Sequence, residues 1–114
     1  MKKFSVVDDS PINTTLNVIK GKCKAEIIIK INEGFNRFGL LKKEVSISTK
    51  LLADQLSELE EDGIVIKEES DNTPLQTFYY LSVDGRNLCN IIQEMKEWGN
   101  GYKLFNRINT YIRQ

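Results

Sequence analysis

The apolar period changes twice along this chain, and that pattern narrows its fold more than any other feature. Up to Gly63 the apolar residues recur mainly at intervals of three and four; from Ile64 to Leu81 they alternate with period two; from Val83 the helical spacing returns almost to Gln114. Helices must therefore flank one small pair of strands, which makes the class α+β and mainly α. With 114 residues, 40% of them apolar, the chain suits a single domain over 1–114 whose core needs neither disulfide nor metal.

Local signals divide the first half into four helices. Ser10 caps a helix from about Pro11 to Lys20, with Ile12, Leu16 and Ile19 on one face and Gly21 as its stop. Lys22 to Glu33 holds Ala25, Ile27, Ile28, Ile29 and Ile31. These β-branched residues suit a strand equally well, but Glu26 and Lys30 lie four apart and Gly34 can end a helix, so a buried helix is expected. Asn36-Arg37-Phe38 reads as a short extended piece, and Gly39 to Val45 as a short helix. Ser46-Ile47 is a turn into the clearest helix, 48–62, capped by Ser48 and ended by Asp62-Gly63. Its apolar stripe is Leu52, Leu56 and Leu59; Thr49, Lys50, Ala53, Asp54 and Ser57 occupy the other face.

Two strands follow within 64–82, joined by the polar stretch Glu68 to Leu75, which is too long for a tight hairpin. In the first, Ile64 and Ile66 are expected on one face; in the second, Thr77, Tyr79 and Leu81 alternate with Phe78 and Tyr80. A final helix over 83–112 carries Leu88, Ile91, Ile92, Met95 and Trp98, then Tyr102, Phe105, Ile108 and Ile112, with a kink expected at Gly99-Asn100-Gly101.

Several function classes lose their parts. The chain has no histidine, so a Ser-His-Asp triad, a histidine base and most zinc or iron ligand sets are missing, and no catalytic, metal or cofactor site is expected. Cys23 and Cys89 form no CxxC pair and the start, Met1-Lys2-Lys3-Phe4, lacks a secretory pattern, so a reduced cytoplasmic setting is expected. No apolar run approaches the roughly 20 residues of a membrane span.

Net charge is zero, from 16 basic and 16 acidic groups, but the charges are segregated. Lys20, Lys22, Lys24, Lys30, Arg37, Lys42, Lys43 and Lys50 dominate residues 20–50; Asp54, Glu58, Glu60, Glu61, Asp62, Glu68, Glu69 and Asp71 dominate 54–72, opposed there only by Lys67. Solvated helix faces explain such blocks in general, and a dipolar surface for a charged partner explains them as well.

The order of elements is that of a winged helix-turn-helix domain: a helix-turn-helix over 39–62, a hairpin wing over 64–82, and terminal helices over 11–20 and 83–112. Its second helix-turn-helix helix is the one that enters a major groove, and small or hydrogen-bonding residues at its start suit base edges and phosphates. Ser10-Pro11, Gly21-Lys22, Arg37-Phe38, Ile47-Ser48, Leu59-Glu60 with Asp62-Gly63-Ile64-Val65, Thr73-Pro74, Tyr80-Leu81-Ser82 with Gly85, and Trp98-Gly99 together resemble the HxlR-type winged-helix transcriptional regulators. The resemblance covers about residues 10–99. It implies a homodimer closed by the terminal helices, with two recognition helices reading half-sites of double-stranded DNA in successive major grooves.

Expected DNA contacts are Arg37, Lys42, Lys43 and Lys50 to phosphates, Ser48, Thr49 and Ala53 at the recognition-helix start, and Lys67 at the base of the wing. Leu16, Ile19, Leu88, Ile91, Ile92, Met95, Trp98, Tyr102 and Phe105 are expected at the dimer interface. Two departures from the family pattern qualify this. The cysteine through which several members respond to oxidants and electrophiles is replaced by Ser10, and the wing offers Glu68, Glu69 and Asp71 where family wings offer basic residues. Cys23 is then a core thiol or a replacement redox sensor. The rival to a homodimeric repressor is a winged-helix module that binds protein and has lost DNA; the sequence names no effector.

Overall fold

The computed structural model describes residues 10–21, 23–71 and 74–112, with side chains through Arg107. Its elements run α1 (Pro11–Ile19), α2 (Lys24–Asn32), α3 (Phe38–Glu44), α4 (Thr49–Glu61), β1 (Val65–Glu69), β2 (Thr77–Leu81) and α5 (Val83–Ile112). Ser10 caps α1 by accepting from the Asn13 N–H at 3.4 Å, and Pro11 takes the first helical position, where its missing N–H costs nothing. No residue of α1 is fully buried; Val18 and Ile19 lean on the core. Lys22 and Thr73, both part of the family resemblance, lie outside the described residues.

The helical reading of the isoleucine run holds because α2 lies at the centre of the fold. It packs against α3, α4, β2 and α5, which bury Ile27, Ile28, Ile29 and Ile31. A helix covered on so many sides needs no polar stripe, and its β-branched residues give up little propensity against what burial returns. Leu41, Val45, Ile47, Leu52, Leu56, Leu59, Val65, Tyr79, Leu81, Leu88, Cys89 and Ile92 complete the core.

The handover from helix to strand at Gly63 sets the direction of the wing. Gly63 adopts φ +76, a conformation that side chains disfavour. Its N–H donates to the Glu60 carbonyl at 3.0 Å and the Ile64 N–H to the Leu59 carbonyl at 2.9 Å, a paired closure that satisfies the last carbonyls of α4. Ile64 is thereby tucked against the helix end before β1 begins. The expected pairing of Ile64 with Ile66 on one face is corrected accordingly: Ile64 and Val65 are both buried and Ile66 is exposed. β1 pairs antiparallel with β2 from Val65 opposite Leu81 to Glu69 opposite Thr77; in β1 only Val65 is buried, whereas β2 alternates at its end, with Tyr79 and Leu81 buried and Tyr80 exposed.

Asn36–Phe38 forms no strand. The Asn36 carbonyl accepts from the Tyr79 N–H at 2.8 Å, so this piece is pinned beside β2 by one bond, and Phe38 already belongs to α3 behind the extended Arg37 cap. α5 is an unbroken 30-residue helix, and the kink expected at Gly99 and Gly101 does not interrupt it. Both glycines have open space where a Cβ would stand, and low propensity by itself does not break a helix's hydrogen bonds.

The start of α5 is locked to the end of α4. Ser82 Oγ accepts from the Gly85 N–H at 3.0 Å and donates to the Gly63 carbonyl at 2.6 Å, while the Ser82 N–H donates to the Ile64 carbonyl at 3.0 Å. The approach is so close that a Cβ on Gly85 would lie 2.2 Å from the Ile64 oxygen. From this anchor α5 crosses α2 and runs past the body, giving extents of 63 × 37 × 25 Å. Leu88 and Ile92, expected at a dimer interface, are spent inside the protomer core, because α5 turns them onto the body of the fold.

Candidate nucleic-acid interface

The helix-turn-helix is held from below by apolar residues and presents its polar ones outward. Val45 and Ile47, on either side of Ser46, are buried and fix the turn between α3 and α4. Ser48 then caps α4, accepting from the Leu51 N–H at 3.0 Å. With Leu52, Gln55, Leu56 and Leu59 facing inward, Thr49, Lys50, Ala53, Asp54 and Ser57 are exposed. Lys42 and Lys43 lie in the last turn of α3, so the structure brings two cations and the positive end of the α4 dipole to the two sides of one turn.

Each charge has a different degree of freedom. Lys50 Nζ pairs with Asp54 Oδ2 at 3.1 Å one helical turn on, an exposed contact that a phosphate can replace at little cost. Arg37, exposed at the start of α3, has its guanidinium carbon 5.3 Å from the centre of the Phe78 ring. Lys67 is exposed on β1, next in sequence to Glu68 and Glu69, which are exposed too. Lys30 pairs with Glu33 at 3.5 Å and Glu44 at 3.4 Å. The hydrogen bond to Glu44, followed by the Glu33 charge, raises its pKa.

Three functional details escape sequence reasoning. Lys24, counted there with the basic block, is buried and hydrogen-bonds Glu58 of α4. Gln55, also buried, accepts from the Cys23 N–H at 3.2 Å. Together these bonds strap the N-terminus of α2 to the middle of α4 and set the recognition helix against the core. The third is Phe78 beneath Arg37. Lys24 sits one turn from the buried Ile27 and Ile28, the single hint that its side chain is not solvated.

Cys23 stands at the N-cap position of α2 without a side-chain capping bond and is half-buried, a shift from its expected place in the core; Cys89 is buried, and both are free thiols. Burial pushes the Cys89 thiol pKa up against a weaker opposing hydrogen bond from Gln93. The expected interface residues Ile91, Met95, Trp98, Tyr102 and Phe105, by contrast with Leu88 and Ile92, form an exposed stripe on α5, and Leu16 of α1 is exposed as well. Trp98 and Tyr102 stack with ring centres 4.9 Å apart. Beside the stripe a groove of about 460 Å³ opens between α2 and α5, floored by Ile29, Ile92 and Met95. No helix among the described residues is long and apolar enough to cross a membrane.

Comparison with known proteins accords with this geometry. Residues 18–106 match the family model described as HxlR-like helix-turn-helix. YdzF, an HTH-type transcriptional regulator of Bacillus subtilis, is 40% identical over 92 residues, which cover 79% of this chain and 84% of that one. YdeP of the same organism, also an HTH-type regulator, is 37% identical over 82% of this chain and 73% of its own. Among solved structures, the reduced form of the redox regulator HypR superposes with a TM-score of 0.77 at 38% identity, covering 82% of this chain and 94% of that one. The winged arrangement, the helix-turn-helix over α3 and α4, and these relatives make this chain a transcriptional regulator of the HxlR-like helix-turn-helix family, with that family's DNA-binding fold.

Proposed function

We propose that this protein is a sequence-specific, homodimeric transcriptional repressor that reads a pseudo-palindromic operator with α4. The observation that carries the reading is the exposed start of α4, where Thr49, Lys50 and Ala53 project close to Lys42 and Lys43 while Glu58, Glu60 and Glu61 lie toward the other end of the helix. A helix presented this way enters a major groove by its N-terminus: the dipole, Lys50 and the α3 lysines meet phosphate, and the short side chains leave room for base edges. The net charge of zero does not oppose this, since Glu58 is neutralised by Lys24 and Asp54 by Lys50 before DNA arrives.

Homodimerisation is supported by the exposed stripe of α5 with Leu16 of α1, an apolar surface that water covers poorly, and by the groove beside it, which can seat a partner's side chains. Two-fold closure sets the half-site centres about one helical turn of DNA apart. The cysteine response that the family resemblance implies does not transfer through Ser10, whose side chain caps α1 instead; Cys23 is the more accessible of the two thiols.

The test is an electrophoretic shift against DNA upstream of the protein's own and adjacent coding regions. Thr49→Ala combined with Lys50→Ala is expected to abolish the shift at moderate salt. Unchanged affinity removes the assignment of α4, and no binding by the wild-type chain favours a protein-interaction module with an acidic wing.

A further inference from the structure

We infer that Phe78 is a positioning residue for DNA binding, holding the Arg37 guanidinium ready for a phosphate so that the acidic wing acts on DNA through α3. The inference rests on the DNA-binding reading above. The wing presents carboxylates at Glu68, Glu69 and Asp71, which a phosphate backbone repels, so it is poorly equipped to grip DNA with its own side chains. What it supplies instead is an aromatic face.

Three observations place that face. The Arg37 guanidinium carbon lies 5.3 Å from the Phe78 ring centre, within the range of a cation–π contact. The hydrogen bond from the Tyr79 N–H to the Asn36 carbonyl, 2.8 Å, ties the residue after Phe78 to the residue before Arg37, which fixes the two backbones against each other. Tyr80 is stacked beside Phe78, ring centres 6.4 Å apart and planes 23° apart, and extends the aromatic platform.

The chemistry of the contact suits a waiting phosphate ligand. A guanidinium lying on a ring spends its face and keeps its in-plane N–H donors, the ones that grip phosphate oxygens in pairs. Lys50 is held in the opposite way, by a carboxylate that occupies one of its three N–H donors. Arg37 has no ion pair with a carboxylate among the described residues, so its charge is unspent. Restraining a long side chain before binding lowers the entropy lost on contact.

A random-sequence DNA duplex is the right probe, because non-specific binding is dominated by phosphates. Its affinity should be measured across a range of salt for the wild type, Phe78→Leu, Phe78→Tyr, Arg37→Ala and the Arg37→Ala, Phe78→Leu double variant. Phe78→Leu is expected to weaken binding about two- to fivefold, the scale of an exposed cation–π contact, and Phe78→Tyr to restore it. Arg37→Ala should reduce the slope of log affinity against log salt by about 1. In its background Phe78→Leu should have no further effect, which a general disturbance of the wing would not reproduce. Arg37 is exposed, so its variant tests the idea even where Phe78→Leu unfolds. An unchanged slope in Arg37→Ala, or an equal loss from Phe78→Leu in both backgrounds, overturns the inference alone. Failure of the wild type to bind overturns the DNA-binding reading with it.

Discussion

The two halves of α5 carry one apolar stripe and use it in opposite ways. In the first half Leu88, Cys89 and Ile92 are buried against the body of the protomer, and the helix start is clamped by Ser82 and Gly85. In the second half Trp98, Tyr102 and Phe105 continue the same spacing of three and four, yet Trp98 is 68% exposed and Phe105 62%. Periodicity makes both halves helical; what differs is whether the protomer has anything to lay against them. The first half is a structural beam and the second is an exposed apolar surface, the one proposed above to be covered by a second copy of the chain.

The largest effect is expected where the first half is clamped. Gly85→Ala puts a methyl group 2.2 Å from the Ile64 carbonyl oxygen, a backbone atom already bonded to the Ser82 N–H. α5 must lift away, weakening the bonds of Ser82 and the burial of Leu88 together. A loss of about 3 kcal/mol, the upper end for overpacking a core, is expected in denaturant unfolding. A loss under about 0.5 kcal/mol would show that the first half of α5 is held loosely after all, and the contrast between the halves would fail.

This clamp also marks the boundary of what the sequence discloses. The helices, the strand pair and the order that defines the winged domain are readable from period and caps, because each depends on neighbours within a few residues: Ser10, Ser48, Gly63 and the Leu52, Leu56, Leu59 stripe all behave as read. Which members of the stripe are core, as Leu88 and Ile92 are, is not legible, because a stripe has the same spacing whether it faces its own core or a partner. The burial of Lys24 is hidden for a related reason, since its partner Glu58 is 34 residues away and no charge count reports the pairing. The platform under Arg37 is likewise a product of tertiary pairing, with cation and ring 41 positions apart in the chain. The turn of the candidate site was legible; the bonds that aim it were not.

The second half of α5 offers the next effect. Trp98→Ala together with Tyr102→Ala removes the stacked pair at the middle of the exposed stripe. Protomer stability below the dissociation concentration should move by only about 0.5 kcal/mol per site, as for surface substitutions. Gel filtration should nevertheless change from dimer to monomer mass, and melting temperature should lose its dependence on protein concentration. A wild-type chain that elutes as a monomer at all concentrations would break the comparison from the other side, leaving the stripe uncovered.

The smallest effect concerns pH and again separates buried from exposed. Burial raises the Cys89 pKa in the folded chain above its unfolded value. The stability it confers is therefore full below the unfolded thiol pKa and declines as pH rises toward the folded one, because the unfolded chain releases a proton that the folded chain retains. Lys30, whose pKa is raised by Glu44 and then Glu33, acts in the same direction at higher pH, weakly because it is solvated. Denaturant midpoints from pH 7 to about 10 should fall for the wild type, with a shallower decline for Cys89→Ala even though that variant starts lower for want of the buried sulfur. Parallel curves would mean that Cys89 ionises as readily in the folded chain as in the unfolded one, and the first half of α5 would be wetter than its packing indicates.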